Sequence, residues 1–335
     1  MNPSRPKRQP RIATIAAEPL ETRQMLTGGV GSTFAIIPAT ISKAGGTASV
    51  SFTLNPAYFT DPGHKPFTLG LDIAPGANST VNPAIRSVTT PTGQVLNVTH
   101  AHFDSTVKRT GVQSSNPQST AALVTIPGLP AASAKSMVYK VNVAGLQKTS
   151  GTVLVGFYLP GDADGSGTVN QADLNAIKYA LNTSASDTTG KYSFDADANR
   201  DGKINAVDLA LATRNLGIGT TVSPVISANV SPSQMVDPAH RVTNMNHVIV
   251  TGAATPGSTI AYTETGNLPI STVTDKAGNY AVNLPLLTGT NSYSVKTSDA
   301  FNQKISGTIN SITYTPGAVA PTTPAAAATT TINTA

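Results

Sequence analysis

Oxygen-bearing residues recur at fixed intervals in two stretches of the sequence. The first set is Asp162, Asp164, Ser166, the carbonyl of Thr168, Asn170 and Asp173; the second is Asp197, Asn199, Asp201, the carbonyl of Lys203, Asn205 and Asp208. These fall at positions 1, 3, 5, 7, 9 and 12 of a twelve-residue loop, with Gly167 and Gly202 at position 6, where the backbone must turn sharply around an ion. Oxygen donors with three carboxylates per loop suit calcium, so two calcium ions are expected. Eight of the seventeen acidic residues lie between Asp162 and Asp208, and without a cation that crowding is repulsive. The apolar residues at position 8, Val169 and Ile204, are predicted to point inward where the two loops back onto each other.

Each loop leads into one helical pattern: Leu174, Ile177, Ala180 and Leu181, then Leu209, Ala212 and Leu216, with Gly217 placed to end the second helix. The helices are expected to bury Leu174, Ile177, Leu181, Leu209 and Leu216 against one another. Before the first loop, Tyr158-Leu159-Pro160-Gly161 breaks any entering helix. A loop followed by a helix, twice over residues 160–217, with Asp at position 12 and Leu after it, resembles a type I dockerin. Ser166 stands where Asp is more usual. The resemblance implies a small all-α calcium module that docks onto a cohesin-like or other extracellular protein, often in assemblies that break down polysaccharide. It also implies partner-binding residues at loop positions 10 and 11 and on the next helical turns: Gln171, Ala172, Lys178 and Tyr179, and Ala206, Val207, Thr213 and Arg214. Because the repeats differ at these places, one helix is expected to dominate partner binding.

The flanking segments read as strands. Between residues 28 and 159, apolar side chains alternate in Ala48-Val50-Phe52-Leu54, Phe67-Leu69-Leu71-Ile73, Met137-Tyr139-Val141-Val143 and Val153-Val155-Phe157, the period of half-buried strands in a β-sandwich. Alternation returns over residues 222–316 at Ile260 and Tyr262, at Tyr280, Val282 and Leu284, and at Tyr293 and Val295; with its Asp275-Lys276-Ala277-Gly278-Asn279 turn, this segment resembles bacterial Ig-like domains. Residues 317–335, rich in Thr, Ala and Pro, are expected to lack structure. Residues 1–27 read as a basic leader or export signal: Leu20-Glu21-Thr22-Arg23-Gln24-Met25-Leu26 resembles a Leu-Glu-Pro-Arg-type signature of bacterial surface and secreted proteins, with Thr22 for Pro and Met25 for Leu. The fold class expected is therefore mainly β and multidomain, in a secreted or cell-surface protein.

Composition narrows the function classes. Cysteine is absent, which removes disulfides, thiolate metal sites and cysteine nucleophiles together. The formal charge is +5, but Arg5, Lys7, Arg8, Arg11 and Arg23 cluster early and the other basic residues are scattered, so no nucleic-acid partner is expected. No run reaches the roughly 18 apolar residues of a spanning helix. Residues 28–158 hold only Asp61, Asp72 and Asp104 as acids, little material for a glycosidase pair, and the chain is expected not to be an enzyme. The weighed alternative is a carbohydrate-binding or glycoside-active first sandwich, with polysaccharide as its ligand. Absent Trp and an aromatic content of 5% argue against it. His100, His102 and Asp104 have strand spacing for a metal, but a solvated strand face accounts for them more simply.

Overall fold

The computed structural model describes residues 24–26, 29–61, 65–76, 78–97, 121–128, 137–222, 226–301 and 304–320. His100, His102 and Asp104 fall outside these residues. The described chain is mainly β with two α-helices, and none of its helices is long and apolar enough to cross a membrane.

The described residues open with β1 (Gln24–Leu26) and β2 (Gly29–Val30), then run through β3 (Thr33–Ile41), β4 (Thr47–Leu54), β5 (Phe59–Thr60), β6 (Phe67–Pro75), β7 (Pro83–Thr89), β8 (Val95–Asn97), β9 (Ala121–Ile126), β10 (Met137–Gly145) and β11 (Gly151–Tyr158). Two antiparallel sheets, ordered β4-β10-β7-β8 and β3-β11-β6-β9, face each other. Val50, Phe52, Tyr139 and Val141 from one meet Leu69, Leu71, Val155 and Phe157 from the other in a shared core, where the Phe52 and Phe157 rings stack 4.1 Å apart. In β4 the alternation holds: Val50, Phe52 and Leu54 are buried and the Thr and Ser between them exposed.

β6 and β11 depart from the half-buried expectation, for β6 is buried on both faces through Ala74 and β11 from Val153 onward. On their outer face β6 carries Thr68, Gly70, Asp72 and Ala74, small or polar residues, and β11 carries Leu154, Gly156 and Tyr158; two other parts of the chain cover it. One cover is Phe301, fully buried with Ala74 and Leu154; it lies so close over Gly156 that a Cβ there would sit 2.9 Å from its ring. The other is the segment carrying the paired loops.

That segment holds α1 (Gln171–Tyr179), β12 (Thr183–Ser184), β13 (Lys203–Ile204), α2 (Ala206–Asn215) and β14 (Gly219–Thr220). It is therefore not purely helical: β12 pairs with β13, and β14 pairs with β5 of the sandwich. Val169, Leu174, Ile177, Ile204, Ala212 and Ile218 join the sandwich core as one continuous cluster.

The rest of the chain builds a second two-sheet unit from β15 (Ile226–Val230), β16 (Val242–Thr243), β17 (His247–Ala253), β18 (Thr259–Glu264), β19 (Ile270–Val273), β20 (Asn279–Pro285), β21 (Gly289–Asn291), β22 (Tyr293–Ser298), β23 (Lys304–Thr308) and β24 (Ile312–Tyr314). Its sheets run β1-β15-β17-β20 and β19-β18-β22-β23-β2, with a small sheet β16-β24-β21. They enclose Val248, Val250, Ile260, Tyr262, Tyr280, Leu284 and Val295. Both sheets borrow a strand from residues 24–30: β1 pairs with β15 and β2 with β23. The end of the expected leader thus sits in the C-terminal unit, and the chain crosses from that unit into the first sandwich at Gly31–Ser32.

Candidate metal centre

In both repeats the last two donor positions also start the helix. Asn170 caps α1 by accepting from Ala172 N at 2.7 Å, and Asn205 caps α2 by accepting from Val207 N at 2.8 Å. The position-12 carboxylates turn back to complete the box: Asp173 Oδ2 accepts from Asn170 N at 2.7 Å and Asp208 Oδ2 from Asn205 N at 2.8 Å. Asp173 and Asp208 are thus each both a candidate ligand and the third residue of a helix.

Around the first loop, carboxylate oxygens of Asp162, Asp164 and Asp173 lie within 4.8 Å of one another. Asp162 Oδ2 accepts from Gly167 N at 3.0 Å, but its Oδ1 is buried with no hydrogen-bond partner. A buried carboxylate oxygen left without a donor is costly, and a cation among these three acids is the partner whose chemistry fits it. Burial first, then the charge of Asp173, pushes the Asp162 carboxyl up to about 7. Burial likewise raises Asp173 and Asp208.

The second loop carries its donors in a more enclosed setting. Asp197 is fully buried; its Oδ2 accepts from Gly202 N at 2.7 Å and from the Tyr192 hydroxyl at 2.8 Å. Burial pushes its carboxyl up to about 7, against the lowering effect of Arg200 and Tyr192. Asp201 Oδ1 accepts from Lys203 N, and Asn199 Oδ1 from Asp201 N. The residues named from the sequence thus line each loop as spaced. Calcium would be held by Asp162, Asp164, Ser166, Thr168, Asn170 and Asp173 in one and by Asp197, Asn199, Asp201, Lys203, Asn205 and Asp208 in the other, and it would neutralise the acids that crowd there.

Residues 160–217 match the family model of the dockerin type I domain. The dockerin-type module so defined covers both loops and both helices, and calcium-dependent docking to cohesins is the general business of such modules. No curated protein matches the chain. Among solved structures, one described as "Biofilm associated protein - BSP domain" is similar at 11% identity and a TM-score of 0.20, over 88% of this chain and 53% of that one. The chain thus spans about half the length of that structure.

Two expectations are corrected in the module. The loops do not run side by side at position 8: Val169 exchanges hydrogen bonds with Gly217 and Ile218 beyond α2, whereas Ile204 accepts from Asn182 beyond α1. Each loop is therefore stitched to the segment that follows the other repeat's helix, and both side chains are fully buried there. Leu216 does not pack between the helices either; it is exposed, and its neighbour Asn215 is fully buried. The reason is the sandwich beneath α2, which receives a polar side chain: Asn215 Oδ1 accepts from Thr68 N at 2.7 Å while its Nδ2 donates to Thr68 O at 2.9 Å and to Pro160 O at 2.8 Å. Leu181 is half-buried, whereas Leu174 and Ile177 are buried as expected.

The residues named for partner binding fall into two groups. On the first repeat, Gln171, Ala172, Lys178 and Tyr179 are all exposed, and Lys191 lies over the Tyr179 ring at 5.1 Å. On the second, Ala206, Val207, Thr213 and Arg214 are exposed too, but the Thr213 hydroxyl donates to Leu209 O and Arg214 reaches Thr125 Oγ1 of the sandwich at 3.4 Å. Sequence reasoning missed Tyr192, Asp195, Arg200 and Asn215. The one available signal was a fourth acid, Asp195, just ahead of the second loop.

Proposed function

We propose that this chain is a non-catalytic, extracellular docking protein whose dockerin-type module, loaded with two calcium ions, takes a cohesin-like protein partner through the exposed face of α1. The observation that carries the reading is the pair of loops, each capped into a helix by its own candidate ligands, the first with its acids gathered around a buried carboxylate oxygen that has no hydrogen-bond partner. Gln171, Ala172, Lys178 and Tyr179 offer a mixed polar and aromatic patch of the kind that anchors interfaces. On this reading the C-terminal unit is an Ig-like spacer, residues 1–27 carry an export signature, and the partner's assembly is a polysaccharide-degrading one. Calcium supplies the charge that lets the acids of each loop stay ionised and close together.

The test is capture of envelope and culture-fluid proteins by the full chain in calcium and in chelator. A protein retained in calcium, lost in chelator and lost on Tyr179→Ala with calcium uptake intact supports the reading. Identical capture in calcium and chelator contradicts it.

A further inference from the structure

The crossover Gly31–Ser32 lies between the two calcium loops, and each loop meets it with the same position. Position 4 of the first loop is Gly165, with φ of 69°, and a Cβ there would sit 2.0 Å from Gly31 N. Position 4 of the second is Arg200, with φ of 61°, a left-handed conformation that a side-chain-bearing residue adopts only when its surroundings hold it there. Arg200 is almost wholly buried. Its guanidinium stacks 3.7 Å from the Phe194 ring centroid and 4.5 Å from that of Tyr158. Its Nη2 donates to Ser32 Oγ at 2.6 Å and pairs with Asp195 Oδ1 at 3.2 Å. Asp195 Oδ1 also accepts from Ser32 N at 3.0 Å and from Ser32 Oγ at 2.8 Å.

We propose that the two calcium loops together clamp the Gly31–Ser32 crossover, so that calcium fastens the first sandwich to the module and commits α2 to that sandwich as an intramolecular partner. The inference rests on the reading that the loops bind calcium. Position 4 lies between ligand positions 3 and 5 in both loops, so the backbone that aims Gly165 and Arg200 is the backbone the ion fixes. Without the ion, repulsion among Asp197, Asp201 and Asp208 loosens that backbone, and Arg200 loses its aim at Ser32.

The far end of the module closes the same joint. Asn215 takes both the N–H and the C=O of Thr68, at the point where the β6–β11 ladder has ended at Gly70, and so extends that ladder with a side chain. Lys65 Nζ donates to Leu216 O at the C-terminus of α2, a favourable place for a cation. Thr220 N donates to Gly167 O, so the turn of the first loop is tied through β14 to β5. With α2 held this way, α1 is the helix left open to an outside protein.

The experiment is amide hydrogen exchange on the full chain in calcium and in chelator, read at four amides. Asn170 and Asn205, which donate to the position-12 carboxylates, report the loops. Ser32 and Thr68, which donate to Asp195 and Asn215, report the joint. The proposal expects all four to exchange at least about tenfold faster in chelator, with Val250 and Leu284 of the C-terminal unit unchanged. Asn215→Ala should still take up two ions while Thr68 exchanges at its fast rate in calcium. If Asn170 and Asn205 respond to calcium and Ser32 and Thr68 do not, the clamp is wrong and the calcium reading survives. If no amide responds and no calcium is taken up, both fall.

Discussion

The two acidic loops share one spacing and live in different surroundings. In the first, Asp164, Ser166 and Thr168 are exposed to solvent, and position 5 is a neutral Ser. In the second, residues 194–200 are all buried, Tyr192 braces the first ligand, and Arg200 reaches across to Ser32. The same ligand order can therefore make a site that meets the domain joint only with backbone and a site that reaches into it with a side chain. The difference comes from what lies against position 4, a Gly with no room for a side chain in one loop and a buried Arg in the other.

The sharpest way to break this comparison is to delete one site at a time. Asp208→Ala should lower calcium uptake by one ion and remove on the order of 4 kcal/mol of calcium-linked stability at saturating metal. It should also release the sandwich joint. Asp173→Ala should remove one ion as well but speed exchange of the Ser32 amide less than Asp208→Ala does. Equal effects of the two substitutions on the joint, followed by calorimetry and hydrogen exchange, would erase the asymmetry.

Arg200→Leu comes next. It leaves Asp195 buried without its cation, a defect worth about 3 kcal/mol, and the melting temperature should fall even in saturating calcium. Ala at position 165, opposite Gly31, would instead test the first loop sterically, but its left-handed φ makes any substitution there strained in itself.

A smaller effect is expected from pH. In the cation-free fold Asp162 and Asp197 sit near 7, against an ordinary 3.8, so the folded chain holds protons that the unfolded chain has released. Stability of the chelated protein should therefore fall as pH rises from 3.8 towards about 7. Calcium displaces those protons and binds more tightly over the same rise. The gap in melting temperature between loaded and chelated protein should widen between about pH 5 and about pH 8; a constant gap would contradict the crowding account. The smallest change is Ser166→Asp, which adds an anionic ligand to the open loop and should tighten that site about tenfold without moving the joint.

The loops were legible in the sequence because their chemistry is local: donor type and interval determine them, and Asn170, Asp173, Asn205 and Asp208 announce the helix starts as well as the ligands. The alternation at Val50-Phe52-Leu54 and Tyr280-Val282-Leu284 was legible for the same reason, since a strand with one wet face writes its period into the residues. What could not be read was each contact between distant parts of the chain. Leu216 looked like the inward residue of α2 because helical periodicity assumes a helical neighbour, whereas the neighbour is the edge of β6 and it selects Asn215. The outer face of β6 carries Thr68, Gly70 and Asp72, so nothing in the composition of that strand shows that it is covered. The strand pairing of residues 24–30 with the C-terminal unit depends on partners about 200 or more positions away, which no local pattern encodes.

The central claim is that two calcium ions enter two unequal sites, and isothermal titration of calcium into the full chain tests it most directly. The account predicts two ions per chain in two distinguishable steps, with Asp173→Ala and Asp208→Ala each removing a different one. No calcium uptake, or uptake that persists when both substitutions are present, would contradict it.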